Sequence, residues 1–150
     1  MWWTCAILLC LDIVSKQYAL GLEHSVNVMP GLAWTQVHNH GVAFGLFAGL
    51  GSWFHVGALM VFMGLIYRWY KTSQSGSCAQ VVWALLVAGA LGNSIDRIFY
   101  GYVIDFIDVY YGSMHWYVFN CADVYLSLGV AGLLWLEYRS KQGVNIPTHS

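Results

Sequence analysis

Few side chains in this sequence can do acid–base chemistry, and they recur in short polar clusters beside apolar runs. Asp12 and Lys16 stand four apart in "LDIVSK". Asn93, Asp96 and Arg97 follow one another in "GNSIDR", and Asp105 and Asp108 in "VIDFID". Asn120 and Asp123 are three apart in "FNCAD". Residues three and four apart share one face of a helix. A charge at the centre of a bilayer costs on the order of 3 kcal/mol on insertion scales, so such groups face a protein interior or a wet cavity. Acids gathered in that way suit three kinds of protein: a hydrolase working by general acid–base catalysis, a proton-coupled transporter or channel, or a membrane subunit whose charges are structural. A transporter predicts acids spread through the depth of the bilayer, and a subunit needs no paired acids.

The elements that must position these groups are membrane helices. The chain has 150 residues, 59% hydrophobic and 9% charged, with a mean hydropathy of +0.58. Soluble domains carry roughly 25% charged residues, so too few polar groups are present to cover a water-facing surface. The length fits one compact unit, residues 1–150, without a linker long enough to separate domains. A net charge of −1 with six Lys and Arg excludes the basic patch that a nucleic-acid partner requires.

A spanning helix needs about 20 mostly apolar residues. Four stretches meet this, at about 2–22, 53–70, 79–95 and 119–138, and several carry Trp or Tyr at their ends, as headgroup-level residues do. The apolar N-terminus lacks a basic leader and a small-residue cleavage site before Asp12, and reads as a retained first span. Arg68, Lys71, Arg139 and Lys141 lie at one set of helix ends, Lys16 and Arg97 at the other. The positive-inside rule then places both termini and "YKTSQSGSC" in the cytoplasm, with segments 23–52 and 97–118 outside. Within the first outer segment, β-branched and aromatic residues flank Pro30-Gly31, which predicts two short strands. The Gly-rich stretch after them fits a loop at the membrane interface. Asp12, Lys16, Asp96, Arg97, Asp105 and Asp123 all fall near the outer surface under this topology.

Each group also has a plainer reading. Asp12 and Lys16 make a helical ion pair whether or not they serve a site. Asp96 and Arg97 are adjacent and point apart, so Arg97 ties other groups together. Asp108 reads as a solvated loop acid, and Asn120 as the N-cap of the last helix. For Asp105 and Asp123 the functional reading is preferred, because acids at membrane depth serve function by default. His38 and His40 alternate as strand residues do, without an evident third metal ligand, and His55 stands alone. Cys5, Cys10, Cys78 and Cys121 show no CxxC or zinc spacing, and three of them lie in or beside apolar runs as small hydrophobes. Gly89, Gly92, Gly129 and Gly132 predict close packing of the third and fourth spans. Hydrolase nucleophile, zincin and P-loop motifs are absent.

Taken in order, the clusters resemble the lipoprotein signal peptidase (type II signal peptidase) family of bacteria over nearly the whole chain. "LDIVSK" is similar to its D-x-x-x-K motif, "NHGVAF" to N-x-G-x-A-F, and "AGALGNSIDR" to G-x-x-G-N-x-x-D-R. "VIDFID" resembles V-x-D-F and "FNCAD" resembles F-N-x-A-D. Ala88 stands where the family often has a further Gly, and "HWYVFN" lacks the proline common before F-N.

The resemblance implies a mainly α, integral membrane fold of four helices with a small extracytoplasmic β element. It also implies an aspartic endopeptidase of the bacterial inner membrane that cuts a diacylglyceryl-modified prolipoprotein before its lipidated cysteine. By motif position the catalytic pair is Asp105 and Asp123. Asp12, Lys16, Asn39, Gly41, Asn93, Asp96, Arg97 and Asn120 support that pair or contact substrate. No metal or other cofactor is expected, and the implied partners are the prolipoprotein and membrane lipid, the enzyme being a monomer. Two carboxylates held close in a poorly solvated site cannot both ionise easily, which leaves one as base and one as acid.

Overall fold

The computed structural model describes residues 2–40, 77–142 and the helical residues Gly64, Tyr67, Arg68 and Lys71. The span expected at 53–70 therefore lies outside the described residues except at three positions, and Gly41, His55 and the Gly-rich loop lie outside them altogether. The described elements are helix α1 (Trp2–Leu20), strands β1 (Val26–Met29) and β2 (Leu32–Asn39), helix α2 (Ser77–Tyr100), strands β3 (Val103–Tyr111) and β4 (Met114–His115), and helix α3 (Cys121–Lys141).

Helices α1 and α2 contain stretches long and apolar enough to cross a membrane. Large apolar side chains also cover the outer faces: Trp3 and Val14 on α1, and Leu128 and Leu134 on α3, are all exposed. A contiguous surface of that kind needs an apolar surround. The inner faces interlock closely. A Cβ on Gly89 would lie 2.6 Å from the carbonyl oxygen of Ala122, one on Gly129 2.6 Å from Leu86, and one on Gly132 2.6 Å from Val82. Those three glycines set the α2–α3 approach as expected from the sequence. Gly92 differs: a Cβ there would run into the Asp12 carboxylate and stand 3.3 Å from Cβ of Ala122. Its lack of a side chain makes room for a charged group.

The sheet is antiparallel, in the order β1-β2-β3-β4. Strands β1 and β2 are the pair expected on either side of Pro30-Gly31, and Gly31 turns there with φ 87°. The segment 97–118 corrects the reading of an outer loop. Residues 97–100 continue helix α2, because Asp96 and Arg97 find partners inside the protein. "VIDFIDVYY" then forms strand β3, pairing Asp105 with Val37 and Asp108 with Ala33. Alternating β-branched and aromatic residues carry that strand signal.

One isolated bridge closes the fold over the site. Phe119 accepts bonds from Phe106 N (3.0 Å) and Ile107 N (2.7 Å), and its own N–H donates to Ile107 O (3.1 Å). The chain thus returns from β3 through the turn at Gly112 and starts α3 directly beside Asp105. One buried cluster, around Trp83, Leu86 and Val87, packs the helices, and a second, of Ala19, Ile104 and Phe106, packs α1 against the sheet. The polar residues lie between the two.

Candidate active site

Asn120 begins helix α3 as its N-cap. Its side-chain oxygen accepts from Asp123 N at 3.0 Å, and Asp123 Oδ2 accepts from Asn120 N at 3.3 Å, a reciprocal capping box. Asp123 occupies the first helical turn, where the helix dipole favours negative charge. Its other oxygen accepts from Asn93 Nδ2 at 2.8 Å.

Asp105 arrives from strand β3 and is 1% exposed. Asn120 Nδ2 donates to its Oδ1 at 2.6 Å and Asn39 Nδ2 to its Oδ2 at 2.8 Å. Asn120 Nδ2 also donates to Asn93 Oδ1 at 3.2 Å. The two aspartates are thereby joined through a pair of buried amides. Burial pushes the Asp105 carboxyl up to about 6, and the Asp123 charge pushes the same way; the Asn39 and Asn120 bonds and the Lys16 charge oppose them.

Beneath the amides lies a buried ionic triad. Lys16 Nζ stands 2.8 Å from Asp12 Oδ2 and 2.8 Å from Asp96 Oδ2, and donates to Asn93 Oδ1 at 3.1 Å. Arg97 donates from Nη1 to the Asn93 carbonyl at 3.1 Å and lies within electrostatic reach of Asp123, Asp96 and Asp105. Asp12, Lys16, Asn39, Asn93, Asp96, Arg97, Asp105, Asn120 and Asp123 therefore converge on one place.

Tyr117 belongs to the same place and the sequence reading missed it. Asn39 Nδ2 donates to its hydroxyl. Burial, then the charges of Asp105 and Asp123, push that hydroxyl up to about 12, against the opposing Asn39 bond and Arg97 charge. An aromatic residue three before Asn120 carries no signal that separates it from its neighbours Trp116 and Phe119.

Asp108 departs from expectation. It is a buried strand residue, not a solvated loop acid, and His115 Nδ1 lies 2.8 Å from its Oδ2. Three residues apart on β3, Asp108 and Asp105 point to opposite faces and meet different neighbours. His38 and His40 both lie against the Tyr102 ring, with centroids at 4.1 and 5.3 Å, and His38 Nε2 contacts Gln36 Nε2 at 2.9 Å. Among the described residues no group of three His, Cys, Asp or Glu is arranged to hold a metal. The four cysteines are unpaired with one another.

Apolar helices capped by a small sheet, with two amide-bridged carboxylates at their junction, define an integral membrane protein with a paired-acid centre. The sequence profile of Signal peptidase (SPase) II matches residues 4–139. The lipoprotein signal peptidase of Thermodesulfovibrio yellowstonii is 41% identical over 128 residues, covering 83% of this chain and 84% of that protein. The lipoprotein signal peptidase of Pasteurella multocida is 37% identical over 142 residues, covering 90% and 86%. A bacterial membrane enzyme solved by the in meso method at 2.3 Å resolution superposes with a TM-score of 0.84 at 30% identity, over 98% of this chain and 92% of that one. A second, solved at 1.9 Å, gives 0.76 at 33% identity, over 89% and 88%. The chain belongs to the signal peptidase II family.

Proposed function

We propose that this chain is an aspartic endopeptidase that removes the signal peptide from prolipoproteins, with Asp105 and Asp123 as its reacting pair. The observation that carries the assignment is the bridge between them: Asn120 bonds Asp105 at 2.6 Å while capping the turn that holds Asp123. Two carboxylates from different elements are held together where burial penalises a second charge.

The two environments divide the roles. Asp123, at a helix start and bonded by Asn93, is the base; Asp105, whose proton is held up to about pH 6, is the acid. Water attacks the scissile carbonyl and gives its proton to Asp123, while the Asp105 proton moves to the carbonyl oxygen. On collapse the C–N bond breaks, Asp123 returns its proton to the leaving nitrogen, and the carbonyl re-forms as Asp105 recovers its own. Cleavage then follows a bell-shaped pH curve whose limits belong to the coupled pair.

Four spans place both termini in the cytoplasm and the pair at the outer face of the bacterial inner membrane. A diacylglyceryl group and an apolar signal helix both partition into the bilayer, which brings the bond before the lipidated cysteine to that depth. Strands β1 and β2 with the segment that follows them hold the peptide extended, and a single copy suffices.

The test is cleavage of a diacylglyceryl-modified prolipoprotein by purified protein. Asp105→Asn and Asp123→Asn each abolish release of the signal peptide, and Asp108→Asn, which faces His115, keeps most of it. Near-normal cleavage by either of the first two would refute the assignment.

A further inference from the structure

The triad beneath the amides is more than an ion pair that lets a helix carry charge. Each of its carboxylates makes a further bond to a backbone amide. Asp12 Oδ1 accepts from Ala122 N at 2.8 Å, and Asp96 Oδ2 accepts from Ile104 N at 3.2 Å. Ala122 immediately precedes Asp123, and Ile104 immediately precedes Asp105. We propose that Lys16 is the positioning residue of the reacting pair: one ammonium ties together the two carboxylates that grip the peptide N–H next to each reacting aspartate. The inference rests on the reading of Asp105 and Asp123 as that pair.

Burial argues for this role over simple stabilisation. Lys16 is 1% exposed, Asp12 0% and Asp96 4%. Desolvating three charges costs several kcal/mol per ion, so apolar residues of similar size would stabilise the helices as well or better. What apolar residues cannot do is hold two peptide N–H groups, one on β3 and one on α3, at a fixed separation. The ammonium also fixes Asn93. With Lys16 and Asn120 both donating to its Oδ1, the amide nitrogen is left facing Asp123. The charged groups that act on or with Lys16 are Asp12 on α1, Asp96 on α2 and Asp105 on β3, and Arg97 on α2 faces Asp96, Asp105, Asp123 on α3 and Tyr117. Without the ammonium the two carboxylates of the triad repel each other and the grip on both strand and helix loosens. A misplacement of about 1 Å at reacting groups costs on the order of a hundredfold in rate.

The experiment compares wild type, Lys16→Met and the double variant Lys16→Met/Asp12→Asn, which keeps the net charge of the triad, with Asp105→Asn as the inactive reference. Folded protein is quantified in detergent, and kcat, KM and the pH profile are measured on a diacylglyceryl-modified prolipoprotein. Both Lys16 variants are expected to fold, to lose on the order of a hundredfold in kcat with KM changed only a few-fold, and to show a displaced lower limb of the pH profile. A kcat per folded molecule and pH limits equal to wild type in the double variant would overturn the proposal. So would failure of both variants to accumulate, because a positioning role predicts a folded but misaligned enzyme. Cleavage by Asp105→Asn would instead overturn the reading of the pair itself.

Discussion

Replacing Asp105 by Asn separates the catalytic role proposed for that carboxyl from what its burial costs the fold. The folded chain holds the Asp105 proton up to about pH 6, against an ordinary value of 3.8. Below the ordinary value the acid is protonated in both folded and unfolded states and carries no penalty. As pH rises from about 4 to about 6 the unfolded chain releases the proton while the folded chain still holds it, so wild-type stability falls. At about 1.4 kcal/mol for each pH unit between the two values, the loss is about 3 kcal/mol once the pH passes the folded value. The substituted amide cannot ionise and lacks this dependence. It does lose one acceptor, since Asn39 and Asn120 donate to the two different oxygens, but that cost is the same at every pH. The quantity to measure is therefore the variant's melting temperature minus wild type's, at about pH 4 and again at about pH 7.5, in detergent. That difference should move in the variant's favour by on the order of 6–12 °C between the two conditions. An unchanged difference would refute the claim that the folded site raises the Asp105 proton affinity.

Asn120→Ala removes a helix cap worth about 1 kcal/mol and a donor to a buried carboxylate worth about 1.5–3 kcal/mol. A lowered melting temperature and lost cleavage are expected together. Asn120→Asp keeps an oxygen for the cap but sets a third acid beside Asp105, so the helix should persist by circular dichroism while the lower limb of the pH–cleavage profile shifts upward. Gly92→Ala drives a methyl group into the Asp12 carboxylate and should cost roughly 1–3 kcal/mol, read as a lower melting temperature.

The described helices are legible in the sequence because burial in lipid leaves so plain a mark on composition, and Asn120 with Asp123 because a cap and its partner are three residues apart. Strand β3 is hidden for a different reason. Its acids dominate the reading, although "VIDFIDVYY" carries the β-branched and aromatic pattern of a strand. Asp108 is misplaced with it, since only the β3–β4 pairing shows that His115 covers that acid. The contacts that organise the centre leave no trace in local spacing. Asp12 and the Ala122 amide are 110 residues apart, and Asn39 and Asp105 are 66 apart. Such pairs exist only once α1, β2, β3 and the start of α3 have come together.

The amide bridge between the two aspartates has a consequence for how protons move. A hydroxyl or an imidazole can take up one proton and pass on another, but a side-chain amide nitrogen only donates hydrogen bonds. Asn120 and Asn93 form one span from Asp105 to Asp123. That span therefore fixes distance without itself relaying a proton. On the proposed reading, a proton passing between the two acids during cleavage travels through the water molecule and the peptide carbonyl and not through these amides.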